Sequence, residues 1–421
     1  WYDEDKYELT YTSSDPNIAE VDQNGVVKGL KEGTTIITLS ASGSNINASI
    51  TVTINNPFII ENRTLVAYKG LGGEVVIPDD EGILYIGAYA FCLYETDRTI
   101  EVTEEDYDKN KIPASNTSIT SIVVPYGVEE IQKYAFYNCS GLRTVVLPET
   151  VKTIREYAFC KNVKLESINL DKISVIGKEA FKECKKLNNV DLSKIYAVGD
   201  DAFSGCSSLE KVDLTTLRNT GKQAFKDCTA LKEVVLSENT KLSYAMFVNT
   251  GLVNVDIYEK VEIPEFCFAL CNNLETITIN NDLVNIGKGA FSDCPKLTTV
   301  VFNAKVDALG EQLFYNSTGL VRIVLPNNKV TMGNYCFYKC TNLTEIVFQE
   351  NTVVEKIEGS VFQDTNVTTF VVESGNQNYQ AFGELLLDAQ GTTIIFAAPY
   401  KDYGEYILDS KYVAISDGAF T

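Results

Sequence analysis

Phenylalanine returns every 21 to 25 residues through most of this chain, at Phe136, Phe159, Phe181, Phe203, Phe225, Phe247, Phe268, Phe291, Phe314, Phe337 and Phe362. A fixed period of that length marks a stacked repeat. The flanks repeat as well. Alanine precedes the ring at Ala135, Ala158, Ala180, Ala202, Ala224 and Ala290. Cysteine follows three later at Cys139, Cys184, Cys206, Cys228, Cys271, Cys294 and Cys340, and leucine six later, from Leu142 to Leu343. A two-residue alternation closes the unit, as in Val145/Leu147, Ile168/Leu170, Val190/Leu192, Val212/Leu214, Ile277/Ile279, Ile323/Leu325 and Ile346/Phe348. Period two is a short strand with one face inward, and Pro148 and Pro326 end it. The Ala-Phe-x-x-Cys-x-x-Leu stretch is a tight turn or single helical turn aimed back at that strand. One unit cannot bury its apolar side alone, but stacked units share a core, their strands about 4.8 Å apart. The predicted fold class is therefore a mainly β or α/β solenoid with one long parallel sheet, over residues 57–421.

The period predicts a rung even where the ring is missing. Between Phe91 and Phe136, Ile100 and Val102 fall where a strand belongs, and Ile122, Val124 and Pro125 follow 22 residues on. A degenerate, looped-out repeat is predicted there, carrying the acidic Glu104-Glu105-Asp106-Tyr107-Asp108; a cation-binding loop is the sharper alternative. Solenoid ends need caps, and residues 58–78 read as one, a hairpin leading into Val75-Val76-Ile77-Pro78. A second hairpin is predicted near 385–396. The repeat then resumes through Tyr406-Ile407-Leu408 and stops mid-unit at Phe420-Thr421, so a fragment at both ends is expected.

Residues 1–56 are different in kind. Strand patterns at 7–11, 18–21, 26–30, 34–40 and 48–54 alternate with the turn clusters Ser13-Ser14-Asp15-Pro16-Asn17, Asp22-Gln23-Asn24-Gly25 and Lys31-Glu32-Gly33. A short antiparallel β-domain is predicted, joined to the repeats at Asn55-Asn56-Pro57.

Composition excludes more than it identifies. The chain has no histidine, and 57 Asp+Glu against 36 Lys+Arg leave a formal charge of −21. Without imidazole there is no Ser-His-Asp or Cys-His catalysis, no HExxH zinc site and no Cys/His finger. The acidity argues against nucleic acid and anionic membranes, and no apolar run approaches the roughly 18 residues of a membrane span. The eleven cysteines are odd in number and follow the repeat rather than pairs. Ladder side chains point in parallel, not at one another, so buried free thiols acting as small hydrophobes are predicted. Cys267 and Cys336 take the alanine slot, while Cys92 and Cys160 directly follow a Phe.

Positions between the inward strand residues are expected to face solvent: Asn169, Asp191, Asp213, Val235, Asp256, Thr278, Val301, Val324, Val347 and Val371. The row begins acidic and ends apolar. Asp191 and Asp213 are expected on adjacent rungs, where like charges repel. Solvated surface acids are the plain interpretation. A cation or basic-ligand site, or paired carboxylates for glycoside cleavage, are the sharper ones. Val301, Val324, Val347 and Val371 suggest an apolar partner surface, against β-propensity under a covering segment. Tyr89, Tyr134, Tyr157 and Tyr335 recur two before the Phe, placed either for ligand contact or for half-buried packing. No cofactor is expected, with Ca²⁺ the one possibility left open.

The Ala-Phe-x-x-Cys-x-x-Leu-x-x-Val-x-Leu-Pro unit and the Tyr68-Lys-Gly-Leu-Gly-Gly-Glu-Val-Val-Ile-Pro78 cap resemble the BspA-like leucine-rich repeat family. That family implies a right-handed superhelix over roughly residues 58–421. Tyr11-Thr-Ser-Ser-Asp15, Ala19-Glu-Val21, Asn24-Gly25 and Gly33-Thr-Thr-Ile-Ile-Thr38 resemble a bacterial Ig-like domain of group 2, with Tyr11 where that family usually has Trp and its first two strands missing. The pairing resembles secreted or cell-surface proteins of host-associated bacteria. It implies a non-enzymatic adhesin that meets host proteins, glycans or other bacteria through the solenoid face; the oligomeric state is not set by the sequence, a monomer being favoured. Alternatives are a structural spacer displaying other domains and, less favoured, a carboxylate-based glycan-active enzyme. The candidate ligand-binding residues are Asn169, Asp191, Asp213, Asp256, Val301, Val324 and Val347.

Overall fold

A computed structural model describes residues 8–43, 45–92, 115–258, 261–283, 285–357, 360–398, 408–416 and 419. The chain forms two compact units, Trp1–Glu61 with Leu65–Gly70, and Asn62–Thr64 with Leu71–Thr421. The division runs through a hairpin of Phe58–Glu61 and Thr64–Tyr68. Its two loop residues, Asn62 and Arg63, both have positive φ (48° and 62°), as a two-residue hairpin turn matched to strand twist requires.

In the first unit, Leu9–Ser13, Gly33–Ala41 and Asn47–Ile54 form a three-stranded antiparallel sheet, and Ala19–Val21 pairs with Val27–Gly29. The turn chemistry is local. Asp22 Oδ1 accepts from the N–H groups of Asn24 and Val26, with Gly25 supplying φ +78°.

In the second unit each coil passes through three stretches. The alternating stretch forms the predicted parallel strands, in single-coil register: Val75 pairs with Ile122, Ile122 with Val145 and Val145 with Ile168. Further along, Val255, Ile277 and Val300 make one inward row, and Ile323, Ile346 and Phe370 another. A second parallel sheet, which the alternation does not predict, follows the turn after each strand. It runs Tyr85–Ile86, Glu130–Ile131, Thr153–Ile154, Val175–Ile176, Ala197–Val198 and Asn219–Thr220. Two-residue strands are too short to carry a period, so only stacking reveals them. Behind this sheet coils approach closely. A Cβ on Gly221 would lie 2.0 Å from Asp200 N, and one on Gly199 2.4 Å from Lys178 N.

The third stretch carries the ring. The phenylalanines stack from Phe91 to Phe362, with neighbouring centroids 4.7–5.9 Å apart, and are almost wholly buried. Where a tight turn or single helical turn is expected, the backbone is a turn; no helix occurs among the described residues. Residues two before and two after the ring adopt left-handed φ in coil after coil, as at Tyr157 (58°), Lys161 (62°), Glu179 (52°) and Glu183 (61°). Their N–H groups thereby point along the stack. Tyr157, Phe159 and Lys161 donate to the carbonyls of Lys178, Ala180 and Lys182 on the next coil, at 2.8–2.9 Å.

The extra rung predicted at Ile100 and Val102 falls outside the described residues. Val75 pairs directly with Ile122 and Phe91 stacks directly on Phe136, 4.7 Å between centroids. Residues 93–114, with the acidic segment 104–108, lie outside the described residues.

Candidate binding surface

Among the predicted outward positions, Asn169, Asp191 and Asp256 are exposed, Asp213, Val301 and Val324 are half-buried, and Val347 is only 1% exposed. Val347 therefore cannot meet a ligand. Its neighbours Ile346 and Phe348 are buried with it, so strand alternation fails there because both faces are covered. The apolar end of the row is packing more than open surface.

Its acidic end has local employment. Asp191 Oδ1 accepts from Ser193 N–H at 2.9 Å, and Asp213 Oδ1 from Thr215 N–H and Oγ1 at 3.0 and 2.8 Å. Each Asp thus closes a local turn, Asp213 at the end of the strand Lys211–Asp213, in an Asp-Leu-Ser/Thr pattern readable from sequence. Ser193's hydroxyl and N–H hold the Asp191 carboxyl below the usual carboxylate range. Nor are the two acids ladder partners. Asp213 pairs with Val235, while Asp191 lies in a gap between the strands Ser167–Ile168 and Lys211–Asp213. Asn169 is tied to the preceding coil, accepting from Leu147 N–H and donating to Leu147 O, both at 2.8 Å. Asp256 sits in register with Thr278. No group of three or more Cys, Asp or Glu is placed to hold a metal ion among the described residues.

All eleven cysteines are buried, and none forms a disulfide with another. The seven that follow the ring by three are also hydrogen-bond donors. Each Sγ reaches the carbonyl of the preceding ring, as Cys184 to Phe159 (3.1 Å), Cys206 to Phe181 (3.2 Å) and Cys340 to Phe314 (3.0 Å). At two coils without that cysteine another donor takes its place, Asn162 Nδ2 on Phe136 O and Ser317 Oγ on Phe291 O. The tyrosines two before the ring pack among themselves. Tyr89, Tyr134 and Tyr157 stack at 5.0 and 4.6 Å, and Tyr335 meets Tyr338 edge-on.

A family model described as BspA type leucine rich repeat region matches residues 73–174, 109–213, 161–263 and 261–383, most of the chain. The chain belongs to the BspA-type leucine-rich repeat family. A model of the bacterial Ig-like domain (group 2) matches residues 3–52 of the BspA-type chain. Among solved structures it is similar to a leucine rich cell surface protein of Faecalibacterium prausnitzii A2-165 (22% identity, 75% of this chain and 93% of that one, TM-score 0.41). It is similar also to a leucine-rich repeat protein of Bacteroides ovatus ATCC 8483 (22%, 88% and 94%, 0.45) and to the pneumococcal vaccine antigen PcpA (18%, 80% and 97%, 0.44). No curated protein matches it.

The open apolar row of this BspA-type solenoid lies on its first coils, at the opposite end from the predicted one. Val76, Val123 and Val146 are direct register partners and are 65%, 38% and 52% exposed. The same alternation could have found them, since each stands between two inward residues just as Asn169 does. Past the proline turns, the same coils border an open surface concavity of about 650 Å³. Its floor is the register row Tyr85, Glu130 and Thr153, and Tyr126, Glu129 and Glu149 stand around it. Tyr126 is 71% exposed.

Proposed function

We propose that the chain is a non-enzymatic bacterial binding protein, secreted or displayed at the cell surface, which adheres to host proteins, glycans or other bacteria through the exposed face of its solenoid. One observation carries this reading. Chemistry-bearing side chains are committed to the stack, the cysteines as interior donors and Asp191 and Asp213 as turn closers, while the parallel sheet keeps an outward face open across successive coils. A repeat scaffold of this kind presents a long surface rather than a single catalytic cleft. No helix among the described residues is long and apolar enough to cross a membrane.

The test is binding of the whole chain to a panel of host matrix proteins, a glycan array and intact bacterial cells. Saturable binding to at least one class is expected. Signal no higher than that of an unrelated acidic solenoid would count against adhesion.

A further inference from the structure

The first coils present two exposed features. Val76, Val123 and Val146 form a continuous methyl-bearing row on adjacent strands. Beside it runs a row of mostly small polar residues, Glu74, Ser121, Thr144 and Ser167, likewise in register. Each coil then turns at Pro78, Pro125 or Pro148 and contributes one residue to the floor of the concavity.

Carboxylates outnumber lysine in the lining of that concavity, Glu129, Glu130 and Glu149 against Lys152. Glu130 is paired with Arg155 at 2.8 Å, and Lys152 Nζ is engaged by the Glu149 carbonyl at 2.6 Å. Glu129 and Glu149 make no ion pair among the described residues, and the exposed Tyr126 ring stands beside them. Val123 and Val146 each stand three residues before a residue of the hollow, Tyr126 and Glu149, and an aliphatic row near an acidic, aromatic-edged hollow complements aliphatic side chains next to a cationic one. The valine row offers no hydrogen-bonding side chain, which disfavours a sugar as its occupant.

We propose that these three coils are the docking site for a segment of a partner protein in extended form, its branched aliphatic residues on Val76, Val123 and Val146 and a lysine or arginine seated between Glu129, Glu149 and Tyr126. This rests on the adhesion reading and specifies where and what it binds.

The probes are short synthetic peptides alternating valine with lysine, with valine–glutamate and glutamine–lysine peptides as controls, titrated against the full chain. The valine–lysine peptide is expected to bind about tenfold more tightly than either control. Val123→Glu with Val146→Glu should weaken it about tenfold. Glu129→Gln with Glu149→Gln should weaken it and flatten its salt dependence. Val321→Glu, on distant coils and 54% exposed, should change nothing. All the substituted side chains are at least part-exposed, and circular dichroism checks that each variant is folded.

Equal binding of the glutamine–lysine peptide, or indifference to the two valine substitutions, overturns the site. So does loss of a glycan ligand in those same variants, which would make the occupant a sugar. If a panel ligand still binds the valine variants, adhesion stands and this location falls. If the peptide binds selectively while the panel is silent, the docking chemistry stands and adhesion to those targets falls.

Discussion

The Cys184 thiol donates to the carbonyl of Phe159, one coil back, at 3.1 Å. The same carbonyl accepts the backbone N–H and the side-chain Nδ2 of Asn162, at 3.3 and 2.9 Å, so the thiol is a third donor converging on it. Seven coils repeat this bond through cysteine.

A donor slot makes a different prediction from a hydrophobic one. Cys206→Ala removes both a weak hydrogen bond and a sulfur's volume from a sealed position, and should cost about 1–2 kcal/mol in denaturant unfolding. Cys206→Ser keeps the donor, as Ser317 does naturally, and should cost less. If alanine is the milder of the two, the thiol is acting only as an apolar filler.

Thiol burial also sets the alkaline limit. Burial pushes ten of the thiols up, Cys271 to about 11 and Cys160 and Cys340 to about 12. A raised folded pKa contributes stability that is whole below the unfolded thiol value, about 8.5, and is lost as pH rises towards the folded one. In that window the unfolded chain releases protons the folded chain retains, at about 1.4 kcal/mol per pH unit for each thiol. Tm should therefore change little from about pH 6 to 8 on this account and fall steeply above about pH 9. A Cys206→Ser/Cys228→Ser variant should show a shallower fall. An unchanged slope would acquit the thiols.

Left-handed positions beside the rings can be tested one at a time. Glu183 has φ 61°, and its counterpart one coil on is Gly205 at φ 77°. Glu183→Gly should match or exceed the parent in Tm, because glycine enters that region without steric cost. Glu183→Val should lose about 1–2 kcal/mol, a β-branched side chain being the least tolerant of it. Valine equal to glycine would mean the turn relaxes to another conformation.

Asp191 offers a direct electrostatic check. Its depressed pKa means that the stabilisation is present above the unfolded value of about 3.9 and disappears as pH falls through the folded one. An NMR titration should place its midpoint below that of a solvated Asp, and Ser193→Gly should shift it upward by removing the hydroxyl donor. A midpoint indifferent to residue 193 would leave the carboxylate available to a ligand.

Much of the second unit was legible because burying a stack imposes the same demand on every coil. Phe136 and Phe159 predict each other, and Val145 and Ile168 announce their strand by alternation alone. The short rungs such as Thr153–Ile154 were not legible, since two residues carry no period. The rung expected at Ile100 and Val102 lies outside the described residues. Spacing is a property of the chain, whereas pairing Val75 with Ile122 is a choice among possible partners. The candidate site divides similarly. Alternation correctly turned Asn169 and Asp256 outward, but it could not foresee Asp191 and Asp213 bonding to their own turns or Val347 being covered.

By itself, the amino-acid order determined a stacked β-solenoid with an interior ladder of rings, leucines and thiols, preceded by a small antiparallel domain. Apolar side chains recurring at one period have only a shared core in which to escape water. Only the tertiary structure decided which valines remain in solvent, where an acidic hollow opens and what each buried thiol bonds. Exposure and hydrogen bonding depend on what neighbouring coils bring within a few ångströms, and residues far apart in sequence supply that.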